Sequence, residues 1–261
     1  MSFAKRSSCI IFIPLLTALL SCAARIDGVV MEGGAAELTL KTALEPRTSA
    51  FIRSFKVFMG EDADSPVLDG EAINRSMAAA PGIKSVSLKN SGPAALEGRV
   101  SVSNVGDFLS SGGAGGSGAA NGVASGAKPR FISYTEGKIA GTSSIIVYLD
   151  RDLAPGIISM LSPEVEEYLS ALMAPAVLGE TSTKQEYFDL LAAVYGRALA
   201  DEIAAAQIKV FLEFPRPLSA LQGGKTVGPA ANPVTGKQAE FDIPLADLLV
   251  LEQPLRYEVY W

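Results

Sequence analysis

The sequence predicts an α+β fold, a mainly antiparallel sheet with helices packed on one face. Three observations predict it. Short runs alternate apolar and polar side chains, the period of a half-buried strand. Segments of helical spacing with capping residues fall between them. The chain opens strand, strand, helix, helix, strand, strand, an order that suits an antiparallel sheet covered on one side.

Taken in order, Arg25–Met31 and Glu37–Thr42 form a hairpin turning at Gly33-Gly34. Pro46 stands at the first turn of a helix in which Phe51, Phe55, Phe58 and Met59 make an apolar stripe beside Ile52, while Arg47, Arg53 and Lys56 face elsewhere. Asp69 is an N-cap for a second, short helix that ends at Pro81-Gly82. Ile83, Val86 and Leu88 mark a strand, Leu96–Ser103 the next, and Gly92-Pro93 the turn between them.

Residues 110–128 are almost wholly Gly, Ser and Ala, a flexible loop or linker. Strands resume at Phe131–Glu136 and Lys138–Leu149. Ser162 and Pro163 then start a helix with Glu164, Glu166 and Glu167 near the positive end of its dipole. A longer helix runs from about Thr183 to Ala206 behind a Thr183…Glu186 capping box, weakened at Gly196. The tail returns to strands at Ile208–Phe214, Ala239–Ile243 and Leu255–Trp261, with a turn at Gly223-Gly224. One composite domain over 22–261 is the favoured organisation; a division into 25–109 and 129–261 at the glycine-rich stretch stays open.

Composition excludes more chemistry than it suggests. The chain has 261 residues, 48% hydrophobic and 19% charged, a globular balance long enough for a self-sufficient core. It has no histidine, which removes the commonest general base, every Ser-His-Asp or Cys-His site and every His-containing zinc site. Its two cysteines are Cys9 and Cys22. The net charge of −6, and the absence of a basic cluster interleaved with aromatics, argue against nucleic-acid binding. No cofactor and no metal are expected, and no enzymatic activity.

The first twenty-one residues have the three parts of an export signal: Lys5 and Arg6, an apolar run to Leu20, and a small residue, Ser21. The run is shorter than the about 20 apolar residues that span a bilayer. Leu19-Leu20-Ser21-Cys22 resembles the lipobox of bacterial lipoproteins. That resemblance implies cleavage between Ser21 and Cys22, diacylglyceryl and fatty acyl (palmitate-type) groups on Cys22, and a body tethered to the cell membrane or outer membrane. Cys9 leaves with the signal, so the exported body has no free thiol. The competing reading is an ordinary secretory signal cut near Ala23-Ala24.

Other motifs weigh less. Gly113, Gly115 and Gly118 match G-x-G-x-x-G without a following helix, which reads as linker. Gly224-Lys225-Thr226 mimics the end of a phosphate loop but lies among prolines and reads as a hairpin turn. Asp150-Arg151-Asp152 is read as a helix cap with local pairing, against a lesser acid–base or cation role. Phe51, Phe55 and Phe58 either pack in the core or line a pocket for an apolar ligand.

Gly28–Leu40, Leu96–Leu109 (taken as a strand running on through Val105-Gly106-Asp107-Phe108-Leu109) and Phe241–Leu249 resemble segments of LppM-type envelope lipoproteins. The resemblance implies an α+β envelope domain that binds lipid or a partner, and no catalytic residues. The expected function is therefore a non-catalytic, membrane-tethered binding or assembly domain for an apolar ligand or an envelope protein. The alternative is a carboxylate-dependent hydrolase of envelope polysaccharide, which needs two acids about 5–9.5 Å apart in a cleft.

Overall fold

A computed structural model describes residues 23–58, 60, 62, 66–78, 82–111, 131–139, 141–155, 172–173, 179–227 and 236–261. The export signal with Ser21 and Cys22, Met59, the glycines at 113, 115 and 118, and the helix start at 162–167 lie outside the described residues.

Strands β1 (Ala23–Val30) and β2 (Ala36–Ala43) form the expected hairpin, with Ala23 opposite Ala43. Gly33 (φ 82°) and Gly34 (φ 77°) carry its turn in the left-handed region that glycine enters without strain. Helix α1 follows (Pro46–Phe58), then α2 (Gly70–Ala78), whose first amides, Glu71 N and Ala72 N, donate to Asp69 Oδ1 as that residue's N-cap position requires. Strands β3 (Ile83–Gly92) and β4 (Ala95–Val102) come next, antiparallel. β3 is an edge strand, and the Asn74 side chain of α2 pairs with both the N–H and the carbonyl of its Leu88, doing what a further strand would do there.

Val105-Gly106-Asp107-Phe108-Leu109 is not the end of a strand. It belongs to helix α3 (Val105–Ser111), nucleated when Asn104 Oδ1 accepts from Asp107 N. The first two residues of the glycine-rich stretch are thus helical.

Beyond it lie β5 (Ile132–Thr135) and β6 (Ser144–Leu149), then α4 (Lys184–Tyr195) and α5 (Arg197–Ala205). The capping box at Thr183 and Glu186 is present in both directions. The single helix expected over 183–206 is instead two, because Gly196 adopts φ 92° and redirects the chain. The remaining elements are β7 (Gln207–Glu213), β8 (Ala220–Gln222), β9 (Lys225–Val227), β10 (Gln238–Pro244), α6 (Leu245–Val250) and β11 (Leu255–Tyr260).

The architecture is α+β, with two sheets where the sequence suggested one. The larger has the order β3-β4-β2-β1-β7-β10-β9, and the smaller β5-β6-β11-β8. All pairings are antiparallel except β1 with β7, which run parallel with Ala23 beside Gln207. Strand periodicity is the same in either orientation, so only the crossover reveals this pairing. It joins residues from both sides of the glycine-rich stretch in one sheet, and one core holds Ile26, Leu40 and Leu96 with Ile203 and Leu249.

One face of the large sheet is buried. Toward the start of β1 it is covered by helices through Ile52, Ile73, Leu199 and Ile203. Toward the other end the small sheet covers it, where Val30, Phe214, Phe241, Val259 and Trp261 pack together. The opposite face carries the exposed side chains Arg25, Lys41, Arg99 and Lys209.

Candidate functional site

Asp150, Arg151 and Asp152 line an open concavity of about 220 Å³ together with Leu251, Glu252 and Pro254. Their hydrogen bonds serve the fold. Asp150 Oδ1 accepts from Leu153 N at 2.9 Å, the cap expected of it. Arg151 does not pair with its neighbouring acids: Nε donates to Leu251 O (2.9 Å) and Nη2 to Ser182 O (3.0 Å). Leu251 sits at φ 49°, a left-handed conformation uncommon for a residue with a side chain, held by burial and by that arginine. Glu252 accepts from Lys184 N, at the start of α4. Among the described residues no group of three or more His, Cys, Asp or Glu side chains is gathered to hold a metal ion.

Of the phenylalanine stripe, Phe51 packs against the main core, Phe55 is half-buried and Phe58 is exposed. Helix α1 turns Thr48 and Ile52 inward. Phe51 is half-buried and meets Tyr195 of α4 edge-on, ring centres 4.8 Å apart. Phe55 is half-buried and lies 6.4 Å from the ring of Phe58, which is 83% exposed. On α4, Tyr187 and Leu191 point inward, while Leu190 and Val194 are 59% and 60% exposed and Tyr195 is exposed beside them. Phe58, Phe55, Phe51, Tyr195, Val194 and Leu190 therefore form one run of apolar surface across two helices. None of the three concavities described here includes any of them. Sequence periodicity marks apolar positions on both helices, Tyr187, Leu190, Leu191 and Val194 on α4; the structure turns Tyr187 and Leu191 inward and leaves Leu190 and Val194 exposed.

Beneath this surface the Tyr187 hydroxyl is buried and finds no hydrogen-bond partner among the described residues. Burial, then the neighbouring Tyr195, pushes its ionisation above the ordinary value for tyrosine. The neutral phenol is therefore the form the fold holds. That stability is complete below about pH 10 and is lost as pH climbs through the raised folded value. Tyr187→Phe removes an unsatisfied buried hydroxyl and is expected to raise stability by about 1 kcal/mol. It is also expected to flatten the alkaline loss of stability, both read from urea denaturation across a pH series.

A second concavity, of about 540 Å³, lies at the far end of β1, bordered by Met31, Glu32, Tyr134, Glu136, Arg216 and Trp261. Arg216 Nη2 donates to Gly137 O (2.8 Å) and Ser143 Oγ (2.7 Å), which fixes the guanidinium on the wall of the β5–β6 connection. Sequence reasoning missed Arg216; its only signal was the Pro215-Arg216-Pro217 context, which prevents any regular element from carrying it. Nearby, Gly223-Gly224 does make a turn, but its flanking strands β8 and β9 pair in different sheets. Lys225 reaches Glu240 (3.2 Å) and Asp242 (3.1 Å), so it is held by carboxylates and not poised over a phosphate.

The third concavity, of about 510 Å³, lies at the opposite end of the large sheet, where β1 begins. Arg25, Lys41, Lys209 and the carboxylate of Glu97 line it, together with alanines 24, 43, 95 and 205.

No known family profile matches the chain, and no curated protein matches it. Among solved structures it is similar to the NMR structure of the Mycobacterium tuberculosis LppM protein folded domain, over 91% of this chain and 87% of that one. The identity is 9% and the TM-score 0.37. A likeness that slight transfers neither residues nor function. Among the described residues no helix is long and apolar enough to cross a membrane.

Proposed function

We propose that this chain is a lipid-anchored envelope protein whose body is a non-catalytic binding or assembly domain for a partner protein. The observation that carries the reading is the α1/α4 surface, where Phe51 meets Tyr195, Phe55 lies beside Phe58, and Phe58, Val194 and Leu190 are more than half exposed. Isolated exposed apolar residues are ordinary, whereas a contiguous run marks a contact surface. A partner fits better than an apolar ligand, because the concavities described above carry charged rims. Asp150 and Glu252 hold backbone amides, so the binding reading has more support than polysaccharide hydrolysis.

The anchor reading rests on Leu19-Leu20-Ser21-Cys22. Labelled fatty acid is expected to enter the protein and to be absent from a Cys22→Ser variant.

For the partner surface, a photo-crosslinking residue is placed at Val194 or Phe58 and, as a control, at exposed Glu71. Irradiation of native membranes is expected to give one shared discrete adduct from the first two positions and none from the third. Identical patterns from all three would overturn the reading. Phe58→Ser is expected to change stability by less than about 0.5 kcal/mol, so loss of the adduct in that variant reports contact and not unfolding.

A further inference from the structure

We infer that the end of the large sheet beside Cys22 is a docking surface for anionic phospholipid headgroups, a step that rests on the anchor reading above. The strand registers place Lys41, Arg25 and Lys209 side by side on three adjacent strands. The same register continues the row with Glu97 opposite Lys41 and Asp242 opposite Lys209, so two acids flank three cations that repel one another. Each of these acids is shared with a further lysine. Glu97 pairs with Lys89 at 3.1 Å, and Asp242 with Lys225. Asp27 is held bidentately by Arg25 along their own strand, which leaves the arginine partly neutralised. Lys41 and Lys209 make no ion pair among the described residues, and both are exposed. Five cations (Lys41, Arg25, Lys209, Lys89 and Lys225) thus meet four acids (Glu97, Asp27, Asp242 and Glu240) at this end, in a chain of net charge −6.

Position identifies the occupant. Arg25 is three residues after Cys22, a distance of about 10 Å in extended chain. The headgroup layer is about 5–8 Å deep on each side of the hydrocarbon. With acyl chains on Cys22 seated in the bilayer, the cation row stands at the outer edge of the lipid phosphates. The alanines at 24, 43, 95 and 205 leave an open concavity of about 510 Å³ behind the row, room for headgroups to enter between Lys41 and Lys209. Attraction of this kind works within a Debye length of the surface and is screened by salt.

The test uses the full chain purified with its anchor and reconstituted into vesicles of phosphatidylcholine alone or with phosphatidylglycerol. Acetylation rates at Lys41 and Lys209 are read by mass spectrometry against Lys84, an exposed lysine at the start of β3, at the other end of the sheet. Lys41 and Lys209 are expected to react several-fold more slowly in the anionic vesicles, with the protection lost at about 1 M salt and Lys84 unchanged. Equal rates in both vesicles would overturn the inference. So would equal protection by inorganic phosphate in detergent, which would make the row a site for a free anion. The intact mass of the same sample reports the acyl groups. An unacylated chain overturns the anchor reading, whereas an acylated chain with equal rates overturns only the docking surface.

Discussion

Replacing Trp261 by alanine is expected to lower the unfolding free energy by about 3–5 kcal/mol, the range for truncating a large buried aromatic. Trp261 is 2% exposed, and its ring lies 4.7 Å from that of Phe214. Its backbone exchanges hydrogen bonds with Ser143, N to O and O to N. The small cluster it completes, with Val30, Phe241 and Val259, is the packing between the two sheets, so the cavity opens where collapse is hardest. Urea denaturation followed by circular dichroism measures the loss, and Trp261→Phe should restore more than half of it. A loss below about 1 kcal/mol would mean the sheets are held by other contacts. Because Trp261 is the sole tryptophan of the chain, the wild-type protein's own fluorescence is expected to report the separation of the sheets directly.

Glu202→Ala is the second large effect, expected at about 2–3 kcal/mol. The first amides of helix α1 meet a side-chain acceptor. Glu202 of α5 supplies one from elsewhere: Oε1 accepts from Thr48 N (2.7 Å) and Thr48 Oγ1 (2.6 Å), and Oε2 lies 3.4 Å from Arg47 N. Hydrogen bonds to an ionised acceptor contribute about 1.5–3 kcal/mol, and the carboxylate also meets the positive end of the α1 dipole. Thr48 is buried, so removing the acceptor leaves donors without water to replace it. Glu202→Gln keeps the acceptor and loses the charge, and should fall between the two. The urea midpoint distinguishes them, and an alanine variant within about 0.5 kcal/mol of wild type would show the contact to be incidental.

What could be read from the sequence was what is decided within a few residues. Asp69, Thr183 and Glu186 cap helices through partners three positions away, and the hairpin at Gly33-Gly34 follows from local alternation and turn chemistry. The Glu202–Thr48 cap spans 154 positions and leaves no trace in either segment. The same holds for the parallel β1–β7 pair, for the second sheet, and for the row of Arg25, Lys41 and Lys209, which exists only once three strands are in register. Two local readings failed for physical reasons. Helix α3 is too short to show a period, so Val105–Leu109 read as strand. Gly196 in a helical pattern costs only about 1 kcal/mol, too little to foretell that the chain would turn there. Of the candidate site, Phe51, Phe55 and Phe58 were visible as a stripe, as was the helical spacing of Leu190 and Val194, but which of them stay exposed was not, because periodicity marks an apolar face without saying what covers it.

The parallel β1–β7 pair also governs when the body can form. A chain delivered N-terminus first presents β1 at once, yet its second neighbour arrives only with Gln207–Glu213, after most of the polypeptide has emerged. Until then the hairpin has an open flank, and contacts between such distant segments are the slow ones in folding. Threading through a membrane pore requires an unfolded chain, so under the export proposed above the order of the strands would itself postpone closure until passage is nearly complete.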